Sequence, residues 1–77
     1  MPHVIIKMFP GRSEEQKLRL AEAITNSVVS IAVCSEDSVS VSIEEIAPED
    51  WAEKVHGPFI AGNESTLYKK TNNFSGQ

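Results

Sequence analysis

Two segments of alternating apolar and polar residues flank one long segment of helical periodicity, and this order strongly constrains the fold. The first segment, HVIIKMF (3–9), places Val4, Ile6 and Met8 on one face. The second, VSVSIEEI (39–46), alternates more regularly still. A period of two is typical of strands with one covered face. The order therefore predicts a βαβ unit whose two strands are parallel and joined by a right-handed crossover.

The segment between these strands predicts one amphipathic helix from Glu14 to about Val33. A proline–glycine pair at positions 10–11 ends the first strand. Ser13, followed three residues later by Gln16, has the form of a capping box. The predicted apolar stripe recurs at spacings of three and four and consists of Lys17, Leu20, Ala21, Ile24, Val28, Ile31 and Ala32.

The small size of the chain limits how its sheet can be stabilised. Its 77 residues are enough for one domain, and a lone domain of this size is marginally stable. Cys34 is the only cysteine, so no intrachain disulfide can form. A two-stranded parallel sheet has two open edges and is not stable alone. We therefore expect an α/β (α+β) fold whose sheet is completed by oligomerisation with further copies of the chain.

The predicted domain spans residues 1–77 and divides into a βαβ core with an aromatic turn, 2–51, and a C-terminal extension, 52–77. Pro48 is positioned to start a short helical turn. The sequence HGPF (56–59) predicts a break in that helix, and residues 60–70 predict another short helical segment.

Composition argues against several classes of partner. The net charge is −4, with no basic cluster beyond Lys69 and Lys70, which argues against nucleic acid and anionic lipid. No apolar run is long enough to span a membrane, and the N-terminus carries no secretory signal. His3 and His56 are far apart and no Cys/His pair has ligand spacing, so no metal site is predicted. A single cysteine fits the reducing cytoplasm.

Two residues near the N-terminus, Pro2 and Arg12, are candidates for a chemical role. Pro2 follows Met1 directly. Proline is tolerated as the first residue of a strand, but removal of Met1 would also leave Pro2 with a free secondary amine. Arg12 lies just before the helix start, where a cation opposes the helix dipole. Without a functional role, Arg12 would be an ordinary surface arginine in a loop.

Trp51, the only tryptophan, is by itself most typical of a packing anchor.

The initial Met-Pro, the stretch PGRSEEQK (10–17), the DSVSVSIEEI strand and the PEDW turn together resemble the tautomerase superfamily. The closest branch is the small 4-oxalocrotonate tautomerase-like proteins with an extended C-terminal tail. The resemblance implies that Met1 is removed, that Pro2 is the general base, and that no cofactor is needed. It also implies that Arg12 engages the carboxylate or carbonyl end of the substrate, with Trp51 as an aromatic wall. It favours a homodimer and leaves a hexamer open.

One position departs from the diacid-specific members of that family. Those members carry a second arginine in the second strand, where this chain has Ser40. The resemblance therefore implies that Ser40 is one of the substrate-binding residues. Serine cannot bind a carboxylate through charge, so we expect a mono-acid enol such as phenylenolpyruvate as substrate. Two alternatives stay open: a dehalogenase or hydratase with protonated Pro2 as acid, and a non-catalytic oligomeric module. If Met1 stays attached, the Pro2 nitrogen is a tertiary amide without useful basicity.

Overall fold

The computed structural model describes residues 1–71 and has the predicted order of strand, helix, strand and helical tail. Strand β1 spans His3–Met8, helix α1 spans Glu14–Ala32, and strand β2 spans Ser40–Glu45. The remaining helical segments are short 3-10 turns at Glu36–Ser38, Pro48–Asp50 and Ala61–Thr66 and a π-helix at Ala52–Ile60. The predicted βαβ unit and helical C-terminal part are confirmed. Residues 72–77 of the predicted extension lie outside the described residues.

The two strands are parallel, as predicted. The Ser40 N–H donates to the Pro2 carbonyl at 3.1 Å, and the Ile46 N–H donates to the Met8 carbonyl at 2.9 Å. From the first bond to the second, both residue numbers rise by six, so the strands run in the same direction. The pairing places the first residues of β1 and β2 side by side.

Helix α1 begins where its capping residues predict. The Gln16 N–H donates to Ser13 Oγ at 3.1 Å, and the Ser13 N–H donates to Gln16 Oε1 at 2.8 Å, which completes the capping box. At the other end, Val33 adopts a left-handed conformation with φ of 59° and donates to the Val29 carbonyl. Glycine is the usual residue at such a position, so the sequence carries no sign of this helix end.

The apolar stripe of α1 is shorter than the sequence predicted. Its half-buried residues are Lys17, Leu20, Ala21, Ile24, Thr25, Val28 and Val29. Ile31 is 83% exposed and Ala32 is also exposed, so the prediction was wrong for these two residues. The reason is length: 19 helical residues extend about 28 Å, whereas a six-residue strand extends about 20 Å. The last helical turn therefore extends beyond the strands.

The chain forms two compact units. The first comprises Met1–Ile6 and Gly11–Glu44 and contains α1 and most of both strands. None of the residues of this unit is fully buried. An open groove runs between α1 and β2, lined by Leu18 and Ala21 on the helix and by Val41 and Ile43 on the strand. The apolar layer of this unit is therefore left partly uncovered by its own residues.

Among the described residues, the second unit comprises Lys7–Pro10 and residues 45–71. Val55, 5% exposed, is the one buried residue among those described. The rings of Phe9 and Trp51 meet edge to face at a centroid distance of 5.1 Å. The Lys7 ammonium lies 4.9 Å from the centroid of the Phe59 ring, within range of a cation–π interaction.

The predicted break at HGPF (56–59) does not occur, and the π-helix continues through it. In an α-helix the Pro58 ring would crowd the carbonyl of the residue four positions earlier. The wider π turn relieves this crowding, and the Ala61 N–H donates to the carbonyls of His56 and Gly57. The turn at Pro48 begins as predicted, with proline in its first turn.

Candidate active site

At the amino end of the sheet, Ser40 contacts two consecutive residues of the N-terminus. Its N–H donates to the Pro2 carbonyl at 3.1 Å. Its Oγ lies 2.7 Å from Nδ1 of His3, within hydrogen-bond distance. Pro2 is half-buried, whereas His3 and Ser40 are exposed. The structure therefore brings Pro2 and Ser40 together, and we call Pro2, His3 and Ser40 the amino-end cluster.

The chemical state of Pro2 depends on Met1. Met1 is fully exposed, and its carbonyl carbon is bonded to the Pro2 nitrogen as an amide. This nitrogen lies one residue before β1 begins. Removal of Met1 would convert it into a secondary amine at the amino end of the strand, next to Ser40.

Arg12 lies at the other end of β1. Six residue steps separate Pro2 from Met8, and at the rise of an extended strand they span about 20 Å. Arg12 follows Gly11, whose φ of +130° favours glycine, and it precedes Ser13, the N-cap of α1. Arg12 therefore follows the carboxyl end of β1, whereas Pro2 precedes its amino end, and about 20 Å of strand separates the two ends.

Trp51 belongs to the second unit, where it packs against Phe9. It is half-buried, and its indole nitrogen is shielded from solvent with no hydrogen-bond partner among residues 1–71. An unpaired buried donor is unusual, because its loss of hydration is not offset. The contact with Phe9 explains the orientation of the ring, and the role of Trp51 as a substrate wall stays a prediction.

Two residues of these surroundings were missed by the sequence interpretation. His3 was considered only as a possible metal ligand, and Phe9 was taken only as the last residue of the first strand segment. A parallel βαβ unit places the first residues of its two strands near each other, so this topology was a usable signal for His3 and Ser40. The strand register decides which residues of β1 and β2 are neighbours. The alternation of apolar and polar residues does not reveal this register.

Residues 1–71 were also searched for metal-ligating groups and for membrane-spanning helices. They contain no group of three His, Cys, Asp or Glu side chains placed to hold a metal ion. Within the same residues, no helix combines the length and apolar character that crossing a bilayer requires.

Comparison with known proteins supplies the family. The model of a family described as tautomerase enzymes matches residues 2–58. Tautomerase PptA of Pectobacterium atrosepticum is 41% identical over 71 residues, which cover 91% of this chain and 93% of the relative. The crystal structure of YwhB, a homologue of 4-oxalocrotonate tautomerase, is 40% identical with a TM-score of 0.60, covering 61% of this chain and 77% of YwhB.

A further solved structure matches more of the chain. TomN, a 4-oxalocrotonate tautomerase homologue in the tomaymycin biosynthetic pathway, is 28% identical with a TM-score of 0.63. The match covers 74% of this chain and 98% of TomN. The chain therefore belongs to the tautomerase superfamily, in its 4-oxalocrotonate tautomerase-like branch, and is a tautomerase-type isomerase.

Proposed function

We propose that this protein catalyses the cofactor-independent keto–enol tautomerisation of a small 2-oxo or enol acid, with Pro2 as general base after removal of Met1. One observation carries the proposal: Pro2 is half-buried at the start of β1, with its carbonyl bound by the Ser40 N–H, in a member of the tautomerase superfamily. Removal of the exposed Met1 would leave the amine on this anchored residue.

The chemistry of a terminal proline suits this reaction. An α-amino group has a reference pKa of about 7.7–8.0, and proline is somewhat more basic. Near neutral pH such an amine accepts a proton and returns it readily, as a proton shuttle must. In ketonisation, the Pro2 nitrogen would take the proton of the enol hydroxyl and return a proton to the substrate carbon as the carbonyl forms, so that the amine is regenerated. The rigid ring keeps the nitrogen lone pair in one direction.

We assign Arg12 to the acid end of the substrate. Its forked guanidinium suits a carboxylate and stabilises negative charge on a developing enolate. About 20 Å of strand separates Pro2 from the end of β1 in one chain, so we propose that Arg12 reaches Pro2 from a neighbouring subunit. The open edges of the two-stranded sheet and the uncovered groove along α1 support a homo-oligomer, for which we favour a dimer over a hexamer.

The substrate class follows from the amino-end cluster. Ser40 adds no positive charge beside Pro2, so a second carboxylate on the substrate would gain little there. This supports a mono-acid such as phenylenolpyruvate, with its aromatic group facing apolar surfaces such as Trp51. We also assign the protein to the cytoplasm, since its one cysteine, Cys34, forms no disulfide and fits a reducing compartment.

The test combines intact mass with kinetics. The mass should show loss of Met1, and Pro2→Ala should reduce kcat/KM for phenylenolpyruvate ketonisation by about 10³-fold, within the usual range for losing a general base. Pro48→Ala is the matched control, because it removes a proline from a helical turn of the second unit. Unchanged activity in Pro2→Ala would refute the proposal.

A pH profile separates the base from the acid role. If Pro2 is the base, kcat/KM rises as pH increases through the pKa of its amine, because only the unprotonated form accepts a proton. If Pro2 acts as a general acid, as in a dehalogenase or hydratase, the rate falls over the same interval. Titration of ¹⁵N-labelled Pro2 by NMR gives the pKa independently. A form that retains Met1 should be inactive, and full cellular function of that form would favour a non-catalytic module.

A further inference from the structure

We infer that His3 is a positioning residue for Pro2, acting through its hydrogen bond with Ser40. The inference rests on the proposed function, since it concerns how the base is oriented. Ser40 contacts both residues: its N–H binds the Pro2 carbonyl at 3.1 Å, and its Oγ lies 2.7 Å from His3 Nδ1. Ser40 thus contacts the peptide unit between Pro2 and His3 through the Pro2 carbonyl, and the next residue through the His3 imidazole.

The orientation of the Pro2 amine depends on the backbone rotations of both Pro2 and His3. A single hydrogen bond to the Pro2 carbonyl leaves the rotation at His3 unrestricted. The ring of Pro2 fixes rotation about its N–Cα bond, so the amine can change direction mainly by rotation about Cα–C. The bond from Ser40 N–H to the Pro2 carbonyl limits that rotation. The hydrogen bond between Ser40 Oγ and the His3 imidazole limits rotation of the His3 residue. It thereby also limits the tilt of the peptide plane between Pro2 and His3.

The His3–Ser40 hydrogen bond contributes more to the orientation of the Pro2 amine than to the free energy of folding. Both residues are exposed, and an exposed hydrogen bond exchanges with water at little net cost. Proton transfer is far more sensitive, because a small misplacement of the base lowers the rate steeply. The bond forms with either tautomer of the imidazole: the Ser40 hydroxyl donates to an Nδ1 without a proton and accepts from an Nδ1 that carries one.

This role for Ser40 differs from direct substrate binding. If the Ser40 hydroxyl binds substrate, its removal should raise KM. If it holds His3 and Pro2 in place, removal should lower kcat and leave KM nearly unchanged, since only the orientation of the base is disturbed. The two roles therefore predict different kinetic parameters for the same variant.

The experiment pairs disruptive and conservative variants at each residue. His3→Leu and Ser40→Ala remove one partner each. His3→Asn keeps a polar atom near the Nδ1 position, and Ser40→Thr keeps the hydroxyl. We expect each disruptive variant to lower kcat about 3- to 10-fold with KM changed less than about twofold, and each conservative variant to recover most of the loss. The double variant should be no slower than the slower single, because both changes remove the same bond.

A second readout does not depend on turnover. With ¹⁵N-labelled proline, the Pro2 signal of His3→Leu should broaden or divide relative to wild type, while that of His3→Asn should not. This separates the two proposals: a wild type without tautomerase activity refutes the proposed function, and the Pro2 signal still decides the role of His3. Additive effects in the double variant, a change in KM alone, or a wild-type Pro2 signal in His3→Leu would each overturn the inference.

Discussion

The two ends of β1 hold their candidate functional residues in different ways. At the amino end, Pro2 is bound across the sheet by Ser40, and His3 contacts that residue from 37 positions away in the sequence. Beyond the carboxyl end, Arg12 lies in a loop whose conformation depends on its immediate neighbours: Gly11 with its positive φ, and the Ser13 cap. The proposed base is placed by strand pairing, whereas the proposed cation is placed by local conformation.

In the proposed reaction, the base and the cation of one active site would therefore come from different subunits. About 20 Å of extended strand lies between the two ends, so the proposed base and the proposed cation flank opposite ends of β1 in a single chain. Association of copies would bring the amino end of one chain to the carboxyl-end loop of another. The experiments below test the carboxyl end of β1 and its combination with the amino end, starting with the largest expected effect.

Among the single variants at the carboxyl end, the largest effect is expected at Arg12. Arg12→Ala should lower kcat/KM for phenylenolpyruvate about 10²- to 10³-fold, because the substrate loses a charged donor at the developing enolate. Arg12→Lys should retain part of the activity, since lysine keeps the charge and loses the forked geometry. Arg19→Ala is the matched control: it removes an equal charge from an exposed position on α1. An equal loss in Arg19→Ala would show that net charge, and not the Arg12 position, matters.

A mixing experiment tests whether the two ends act across subunits. Pro2→Ala and Arg12→Ala are each expected to be nearly inactive. After the two are unfolded and refolded together, about a quarter of all sites should combine an intact proline with an intact arginine, for a random dimer or a larger ring. Recovery of about a quarter of wild-type activity is therefore expected. A mixture that stays inactive would show that both residues act within one chain.

The sequence predicted the local features better than the long-range ones. The capping box of Ser13 and Gln16 and the start of α1 at Glu14 were readable because helix capping involves residues three positions apart. Parallel strands followed from the strand–helix–strand order. The contact between His3 and Ser40 was not predicted, because alternation gives the face of a residue and not its partner in the next strand.

The errors also have physical causes. Ile31 was placed in the apolar stripe because periodicity reports direction around a helix and not how far the sheet extends beneath it. The tail was expected to break at HGPF because glycine and proline end α-helices, and the π-helix accommodates Pro58 instead. The positions of Pro2 and Arg12 at opposite ends of β1 could have been read from strand length.

The conformation of Gly11 gives a smaller effect at the carboxyl end. Its φ of +130° is unfavourable for an L-residue, although a Cβ there would meet no atom within 4 Å. Gly11→Ala should therefore cost about 1–2 kcal/mol through backbone strain alone, measured by urea unfolding at fixed protein concentration. A synthetic chain with D-alanine at position 11 is the matched control, because D-residues favour positive φ. If both alanines destabilise equally, backbone strain is not the cause.

The smallest effect is expected from the helix cap. Ser13→Ala removes the side chain that accepts from the Gln16 N–H and should lower the free energy of unfolding by about 1 kcal/mol. Ser13→Thr keeps the hydroxyl and should be close to wild type. Because Arg12 directly precedes this cap, Ser13→Ala should also lower kcat/KM slightly, while the ¹⁵N signal of Pro2 at the far end of β1 stays the same. A changed Pro2 signal would mean that the two ends are coupled, and the contrast between a locally held cation and a sheet-held base would then fail.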